Sequence, residues 1–575
     1  MDKKTLPIVI LLILAVLLYW PALQWLGLYE PAQPSEPSAV TDSIMVDSTV
    51  VATTSQESPE TTAAQPQSLT TLQQLAAQTQ ASPDSLSIDS LVISTNKFET
   101  ILSSMGGGPV SLLLQEYRYR DGLPVQMLPN AKQATPDAVF ADGSFFSSAI
   151  SYQSSLPPGE YDATRDTVDV EYTYTSESGG ELIKKYRFYP DRYDYELVVE
   201  LRRPDLLGFE RSYQLWWNTP LSTTEPRQQM DYDAMEAVAM MSGSRENLND
   251  FEDNRLNESL DGYTEYAGVR SKYFAGVMIP VNRTADGVHA RGNEYKISAT
   301  EGRIDAKDIT VGLEMPFANM VALADTFKVF VGPLDYTLMS EYDVDLEAML
   351  NIGTTPVVGW LIKPFAIGVI WLLPRMYDVI PNYGVVIILF ALLVKIVTMP
   401  LSMKSFKSMN AMKELQPKID EMKRKHKKNP QQLNAEMMKM YKAHGVNPMS
   451  GCLPMLPQMP LFFAMFSVFR STILLRGAPF VGFIDDLSVG ATGFTDPYII
   501  LVVLMIGAQF LSQKFTMTST QQNKALGYLM PLFMGFIFYK FAAGLVLYWA
   551  CFSLFSLLDY LVFKRQPKNP QVKSA

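Results

Sequence analysis

A single lysine, Lys395, lies inside an otherwise uncharged apolar run of 19 residues, from Tyr383 to Leu401. Placing an ammonium group at the centre of a bilayer costs roughly 2.5 to 3.5 kcal/mol on insertion scales, so such a residue usually faces protein or water. There the charge could attract an acidic group of a binding partner. The alternative is a lysine whose four-carbon stem reaches the cytoplasmic headgroups. The position alone leaves both interpretations open.

Polar side chains recur in the later apolar runs of the chain: Gln458, Gln509, Ser512 and Trp549. Each one alone is typical of a hydrogen bond between helices or of an anchor at the membrane interface. Together with Lys395 they predict a hydrated substrate groove that opens towards the cytoplasm. The run from Tyr498 to Leu511 has 14 residues, about 21 Å as a helix against a hydrocarbon core of roughly 30 Å. A span this short is expected to thin the bilayer locally.

A strongly basic segment follows the run that contains Lys395. Residues 402–450 carry 11 basic and 4 acidic side chains, and Asn429-Pro430 resembles an N-cap followed by the first residue of a second helix. The densest positive charge is at Lys423, Arg424, Lys425, Lys427 and Lys428. A solvated helix face would explain such charge, but the 12 methionines between Met399 and Met465 favour a surface that contacts varied apolar partners. We therefore expect a helical hairpin that contacts a client or the ribosome.

The charge of the chain is divided between its two halves. Residues 31–340 contain 44 acidic and 23 basic side chains, whereas residues 341–575 contain 13 acidic and 23 basic ones. The acidic part suits a soluble domain, and the basic part suits contact with anionic headgroups. The chain has only two cysteines and three histidines, so neither a disulfide framework nor a metal cluster is expected. No nucleotide-binding motif was found, and no cofactor is predicted.

These patterns divide the chain into eight segments. The positive-inside tendency places the basic segment in the cytoplasm and predicts six crossings, with both termini cytoplasmic and the acidic domain outside. Residues 357–373 should then lie in the interface rather than cross. The predicted segments are an anchor helix (1–29), a disordered linker (30–90), a β-sandwich domain (91–340), an interfacial amphipathic region (341–380), transmembrane helix 2 (381–402), the cytoplasmic hairpin (403–450), transmembrane helices 3–6 (451–563) and a basic cytoplasmic tail (564–575).

Short runs of alternating residues predict strands in the acidic domain, among them residues 168–175, 184–190 and 193–201. Tyr, Val and Phe in alternation, interrupted by Gly, Pro and Asp, are typical of an antiparallel sandwich. Residues 231–262 look less regular, and we expect a helix or a surface excursion there. Gly106-Gly107-Gly108 predicts a turn or bulge, and the lone His289 a structural histidine.

Four sequence segments resemble the YidC family of bacterial membrane protein insertases: KIVTMPL, ELQPKIDEMK, EMMKMYKAHGVNPMSGCLPMLPQMPLFFA and AAGLVLYWACF. They occur in the family's order within about residues 340–565. A retained anchor followed by a large β domain resembles the Gram-negative form of the family.

The resemblance implies a multi-domain protein of the bacterial inner membrane. It has a polytopic α-helical core, with five insertase helices and an N-terminal anchor, and a large periplasmic antiparallel β-supersandwich. It also implies that nascent membrane proteins are inserted through a hydrophilic groove, alone or with the Sec translocon. The family's groove arginine aligns with Lys395, a family threonine with Ala391 and a functional tyrosine with Trp549. Lysine keeps the charge but lacks the planar fork that binds carboxylates bidentately. The ribosome and membrane lipids are further expected partners.

Two other classes of protein were considered. A secondary transporter or channel with an extracytoplasmic receptor domain would be favoured by carboxylate or histidine relays, but Asp559 is the only acid in the predicted spans. An enzyme is disfavoured because His289, His426 and His444 all lie outside those spans. Insertion is therefore the function that the sequence predicts best.

Overall fold

A computed structural model describes residues 90–128, 133–140, 146–207, 212–299, 302–316, 322–352, 359–426, 429–445, 455–493, 495–516 and 524–564. These residues belong to one compact unit, Ala81–Ala575. The predicted anchor, the predicted linker up to residue 89, Lys427, Lys428 and the tail from residue 565 lie outside the described residues.

The first part of the described chain consists almost wholly of β-strands. Alternating burial along strands such as Asp194–Arg202 shows why, because every second side chain enters the core. The strands are β1 (Ser90–Ser94), β2 (Phe98–Ser103), β3 (Gly108–Arg118), β4 (Pro124–Leu128), β5 (Asp137–Phe140), β6 (Gln153–Ser154), β7 (Gly159–Asp162), β8 (Val168–Thr175), β9 (Glu181–Phe188), β10 (Asp194–Arg202), β11 (Ser212–Trp217), β12 (Glu236–Met241), β13 (Ser244–Leu248), β14 (Phe251–Glu252), β15 (Arg255–Arg270), β16 (Phe274–Pro280), β17 (Ala285–Ala299), β18 (Gly302–Pro316) and β19 (Ala322–Pro333).

The strands form two sheets that share one hydrophobic core. The smaller sheet has the order β4-β3-β2-β1-β7, and the larger runs β5-β11-β18-β17-β15-β16-β19-β10-β9-β8-β6, with β12, β13 and β14 attached to it. All pairings between these strands are antiparallel except that of β1 with β7. Buried residues from both sheets, including Phe98 and Tyr186, belong to the same core cluster. The predicted antiparallel sandwich is therefore confirmed.

The register shows how the alternating runs meet. Val170 of β8 pairs with Tyr186 of β9, which pairs with Leu197 of β10, which pairs with Phe327 of β19. All four side chains are buried, so one apolar row crosses four neighbouring strands. The strands predicted at 168–175, 184–190 and 193–201 are confirmed at β8, β9 and β10.

The expectation for residues 231–262 was wrong for most of that segment. A short helix, α1 (Gln228–Ala234), leads into β12 and β13, and the long strand β15 follows. The residues of β12 are buried without alternation because this strand lies between β13 and β15. A continuous apolar run does not by itself distinguish a strand from a helix, since the distinction here depends on the neighbouring strands. Gly106 and Gly107 have φ values of +85° and +57°, which confirms the predicted turn.

The second part of the described chain is helical. After α2 (Tyr336–Met339), the helices are α3 (Gly359–Val379), α4 (Tyr383–Lys425), α5 (Pro430–Ala443), α6 (Met455–Ser471), α7 (Ile499–Thr516), α8 (Lys524–Phe538) and α9 (Ala543–Lys564). Buried apolar residues of these helices form a second core cluster.

Helix α4 is longer than the sequence suggested. The predicted membrane helix and the first helix of the predicted hairpin are one helix of 43 residues, which contains Pro400 and Pro417. At 1.5 Å per residue it is about 65 Å long, roughly twice the thickness of a hydrocarbon core. Its first half is apolar and its second half carries the basic residues, and one continuous helix runs from the core into the hairpin.

Among the described residues, one stretch is both long and apolar enough to cross a bilayer unaided, Tyr383–Met403 of α4. Shorter apolar stretches lie at Ile499–Lys514, Leu529–Phe538 and Ala543–Leu558. The chain between α6 and α7 packs closely against the start of α4, where a Cβ atom on Gly384 would overlap the ring of Phe480.

Candidate functional site

Lys395 points into the helical core. Its side chain is 5% exposed, and its Nζ donates a hydrogen bond of 2.9 Å to Oγ of Ser556 on α9. The ammonium also lies 5.0 Å from the ring centroid of Phe552, one turn earlier on α9. Ser556 in turn donates to the carbonyl of Phe552 at 2.8 Å. The ammonium of Lys395 is therefore held against α9, a direction that does not fit a side chain extended towards the headgroups.

Hydroxyl groups continue the polar face of α4 below Lys395. Ser402 and Ser405 are buried, and Thr398 donates to the carbonyl of Val394 at 2.9 Å. Residues 395, 398, 402 and 405 are spaced by three and four, which places them on one face of a helix. We call this set the α4 polar stripe: Lys395, Thr398, Ser402 and Ser405. Sequence analysis missed its three hydroxyls and Ser556, although the spacing of the hydroxyls was visible in the sequence.

The other predicted groove residues lie on helices that pack against α9. Helices α4, α6 and α7 all contact α9; α6 carries Gln458, α7 carries Gln509 and Ser512, and α9 itself carries Trp549. The indole of Trp549 packs between Phe462 of α6 and Phe538 of α8, with ring centroids 5.1 and 5.8 Å away. Trp549 thus joins three helices through an aromatic cluster.

Several buried polar atoms in this region have no protein hydrogen-bond partner: Nε2 of Gln458, Oε1 of Gln509, Oε1 of Gln513, the hydroxyl of Tyr548 and Nε1 of Trp549. Buried polar groups in folded proteins are almost always satisfied by protein or by water. Water that enters between α6, α7 and α9 would satisfy these atoms.

The basic hairpin consists of the end of α4 and helix α5. Asn429 caps α5, as predicted, by accepting from the backbone N–H of Gln432 at 3.1 Å. The two helices are joined by His426 and Glu436 at 2.8 Å and by Lys418 and His444 at 3.4 Å. Lys423, Arg424 and Lys425 form the last turn of α4, where positive charge also complements the helix dipole. Arg424 and Lys425 are exposed and available to an anionic partner.

A second polar site joins the β domain to the opposite end of the helical core, and sequence analysis missed it. Arg476, which follows α6, donates from Nε to Glu225 at 2.6 Å, from Nη1 to the carbonyl of Arg118 at 2.9 Å and from Nη2 to the carbonyl of Thr224 at 3.1 Å. Glu225 is almost fully buried. The arginine therefore fixes the chain between α6 and α7 to the β domain, and we call this contact the Arg476 junction.

Burial shifts the pKa of ionisable groups near this junction. Burial, and secondarily the charge of Glu225, raises the pKa of Asp231 to about 6, opposed by backbone hydrogen bonds from Thr224 and Glu225. Burial also lowers the pKa of Lys272 to about 8. Metal binding is not indicated here, because no group of three or more His, Cys, Asp or Glu side chains suited to a metal occurs among the described residues.

Two family models match adjacent parts of the chain. The model of the YidC periplasmic domain matches residues 90–367, and the model of the 60Kd inner membrane protein family matches residues 375–570. The boundary between them falls within α3, so the first model covers the β domain and the start of α3, and the second covers the helices from α4 onwards. The architecture is thus that of a bacterial inner membrane protein with a periplasmic domain.

Curated relatives lead to the same family. The membrane protein insertase YidC of Chlorobium luteolum is 34% identical over 509 residues, covering 81% of each chain. That of Syntrophus aciditrophicus is 28% identical over 574 residues, covering 98% of this chain and all of its own. A crystal structure of an active YidC insertase with its first transmembrane domain resolved is 20% identical, with a TM-score of 0.35, and covers 84% of this chain and 94% of its own.

The chain belongs to the YidC family of membrane protein insertases. The resemblance in the four sequence segments is confirmed. The family is not a known class of enzyme. The β domain is periplasmic.

Proposed function

We propose that this protein inserts nascent membrane proteins by receiving their polar, preferably acidic, segments at Lys395 and the α4 polar stripe. The observation that carries this proposal is the direction of Lys395, whose ammonium is turned into the helical core against Ser556 of α9. A charge held inside a membrane protein interacts more strongly with an opposite charge than it would in water. Lys395 would therefore offer an acidic client segment a favourable positive charge at a depth of the membrane where the lipid offers none.

The unpaired polar atoms of Gln458, Gln509, Gln513, Tyr548 and Trp549 support a hydrated groove. Water in the groove would spare a client's polar segment part of its dehydration cost. The apolar segment of the client would stay outside, along exposed side chains of α8 such as Phe533 and Phe536. The groove would then separate the polar and apolar parts of one client.

The contacts with the periplasmic domain support the predicted topology of six crossings with both termini cytoplasmic. Arg476 binds Glu225 of the β domain, while the backbone N–H of Ala543 donates to Val489 at 2.8 Å and that of Ala491 to Tyr539 at 3.0 Å. The end of α6, the start of α7 and the turn between α8 and α9 thus meet near the periplasmic domain. Lys395 is 12 residues from the start of α4, or about 18 Å along it, and the basic hairpin extends from the far end.

The basic hairpin and the apolar outer surface of the helices suit the other expected partners, which are the ribosome, membrane lipids and the Sec translocon. Exposed Arg424 and Lys425, with Lys427 and Lys428 next in sequence, would bind ribosomal RNA or anionic lipid through phosphate contacts. The long apolar surface of the helices would allow clients to arrive either directly or from the Sec translocon. Direct arrival and arrival from the Sec translocon are both part of the proposed function.

Insertion into liposomes that contain only this protein tests the role of Lys395. The assay uses two versions of a single-span client, one with an acidic and one with an uncharged translocated tail, and measures protease protection of the tail over time. Lys395→Met should slow insertion of the acidic version at least about fivefold, equivalent to about 1 kcal/mol. Lys395→Arg should retain most of the rate, because the charge persists.

Lys363→Met provides the matched control, since Lys363 is an exposed lysine on α3 and its loss should leave both rates unchanged. An equal slowing of both client versions by Lys395→Met would contradict an electrostatic role. An unchanged rate for the acidic version would contradict any role of Lys395 in the groove.

A further inference from the structure

A cavity of about 730 Å³ lies between the periplasmic domain and the ends of the membrane helices. The β domain contributes Arg270 and Lys272, α6 contributes Phe463 and Arg470, and the chain between α8 and α9 contributes Lys540. The cavity is distinct from the α4 polar stripe, because the stripe lies deeper along α4, towards the hairpin.

Positive charge dominates the polar side of the cavity. Among the described residues, no carboxylate lies within 4.0 Å of the cationic groups of Lys272, Arg470 or Lys540. Lys272 is only 6% exposed, and the partners of its Nζ are Sδ of Met230 at 3.8 Å and the ring of Tyr273, whose centroid is 4.5 Å away. A buried ammonium without an oxygen partner is costly unless an anion approaches it.

The carboxylates closest to this cluster are engaged elsewhere. Glu225 binds Arg476, and Asp231 accepts from the backbone N–H groups of Thr224 and Glu225. Asp486 accepts from Ser488 at 2.7 Å.

The two acidic residues of the cavity wall, Glu236 and Asp233, also have partners. Glu236 binds Arg245 at 2.5 Å and lies 3.6 Å from Arg270. Exposed Asp233 accepts from Gln229 at 2.7 Å. Burial lowers the pKa of Arg270 to about 10, opposed by the negative charge of Glu236, while the positive charges of Arg245 and Arg470 add to the effect of burial. The cations therefore repel one another across a space that would stabilise an anion.

The opposite side of the cavity is apolar. It is lined by Ile362, Phe463, Phe466, Phe541 and Leu545 of the helical core, and Phe463 is 41% exposed. A free phosphate ion needs only the cationic side, whereas a phospholipid has an anionic headgroup and apolar chains. The cavity provides a surface for each part of a phospholipid, at the level where the periplasmic leaflet meets the β domain.

We propose that this cavity binds the headgroup of an anionic phospholipid from the periplasmic leaflet. Lys272, Arg470 and Lys540 bind its phosphate, and Phe463 and Phe466 contact the start of its acyl chains. Bound there, the lipid neutralises the cluster and links the periplasmic domain to the helical core beside the Arg476 junction. This proposal does not depend on the role of Lys395.

Protection of Lys272 from acetylation tests the site on the full-length protein in neutral detergent. The reactivity of its amine is followed by mass spectrometry during titration with short-chain phosphatidylglycerol, short-chain phosphatidylcholine or inorganic phosphate. Phosphatidylglycerol should protect Lys272 at a concentration at least tenfold lower than either other ligand. Arg470→Gln combined with Lys540→Gln should raise that concentration at least fivefold, while Arg375→Gln, which removes an exposed arginine of α3 outside the cavity, should not change it.

Three outcomes would overturn the proposal. Equal protection by phosphatidylcholine would show that charge is not recognised, and equal protection by phosphate would show that the site binds a free anion. Unchanged protection in the double variant would place the lipid elsewhere. A photoreactive residue at Phe463 provides a second measurement during insertion: crosslinks to lipid support the proposal, and crosslinks to the client instead would overturn it. Both exchanged cations are exposed, and circular dichroism verifies that the variants fold.

Discussion

The two halves of this protein each bury a lysine, and they do so differently. In the β domain, Lys184 of β9 is fully buried and donates to the carbonyl of Gly106 at 2.8 Å. Burial lowers its pKa to about 8, opposed by the negative charge of Asp137. Asp137 accepts from the backbone N–H of Ser148 at 2.7 Å and from its hydroxyl at 2.6 Å. Lys184 is thus enclosed by groups of one fixed network.

In the helical core, Lys395 is bound to a hydroxyl and lies over an aromatic ring. Further hydroxyls follow along α4, and several polar atoms on neighbouring helices have no protein partner. The surroundings of Lys184 are those of a structural charge, whereas those of Lys395 suit a charge that meets a changing partner. Burial of a lysine therefore does not by itself indicate function; the kind of group that surrounds its ammonium does.

Removal of Lys184 should have the largest effect on stability. Lys184→Ala removes the hydrogen-bond donor of the Gly106 carbonyl and the positive charge that stabilises the buried carboxylate of Asp137, which should cost about 3 to 5 kcal/mol. Hydrogen exchange in β8 and β9 of the full-length protein would measure the loss. Lys185→Ala is the control, because the neighbouring lysine is 40% exposed and pairs with Glu200 at 2.8 Å. Similar losses in both variants would show that the enclosure of Lys184 has no special role.

The Arg476 junction connects the two regions, and breaking it should have the second-largest effect on stability. Arg476→Ala leaves the carboxylate of Glu225 buried and unpaired, and we expect a loss of about 3 kcal/mol. Exchange of the backbone amides at residues 472–493 would report it. Arg120→Ala removes another contact across the same boundary, but that pair is 3.8 Å long with both side chains about 70% exposed, so its loss should be below about 1 kcal/mol. If the two variants behaved alike, the junction would not be the main attachment of the β domain.

A third prediction concerns pH. Because the pKa of Asp231 is raised from 3.8 to about 6, the folded state binds more protons than the unfolded state between these values. Stability therefore falls as pH rises from about 4 to about 6 and stays lower above that range. Asp231→Asn removes this dependence, so the variant should gain roughly 2 kcal/mol relative to the parent between pH 4 and pH 7.5.

Thermal unfolding of both proteins at the two pH values measures that gain. Asp233→Asn, at an exposed position on the same helix, should show no such gain. A gain of the same size in both variants, or none in Asp231→Asn, would contradict the proposed effect of burial.

The smallest effect should come from replacing Ser556, which accepts the hydrogen bond of Lys395. Ser556→Ala removes one hydrogen bond but leaves the charge, and we expect a slowing of about threefold in insertion of the acidic client, with stability nearly unchanged. Ser553→Ala, at a buried serine one turn earlier on α9, should leave the rate unaltered. A large loss of stability in Ser556→Ala would make Lys395 resemble Lys184 and would abolish the contrast between the two regions.

Local patterns in the chain predicted much of this structure. Alternation marked β8 and β10, Asn429 marked the start of α5, and the glycines marked the turn before β3. Residues 231–262 were misjudged because the burial of β12 depends on strands that are distant in sequence. The continuity of α4 was also missed, since the change from apolar to charged residues marks a change of environment and does not break a helix.

The candidate site was predicted in the same uneven way. Lys395 was evident because a charge in an apolar run is rare, and the polar side chains of the later apolar runs supplied the remaining groove positions as hypotheses. Ser556 lies 161 residues away, and an isolated serine carries no signal of its own. The Arg476 junction joins positions 251 residues apart, and neither Arg476 nor Glu225 is unusual in its own segment.

Local sequence patterns indicated most of the strands and helices and the parts of the chain that are apolar enough for a membrane, and they placed a cation among the apolar residues. These properties depend on neighbours within a few positions, because periodicity and hydrophobicity act locally. The direction of that cation and the attachment of the β domain to the helices depend on the tertiary structure. It also decided which charges converge on one cavity. Such contacts depend on side chains from distant elements meeting within a few ångströms, and this depends on the packing of the whole chain.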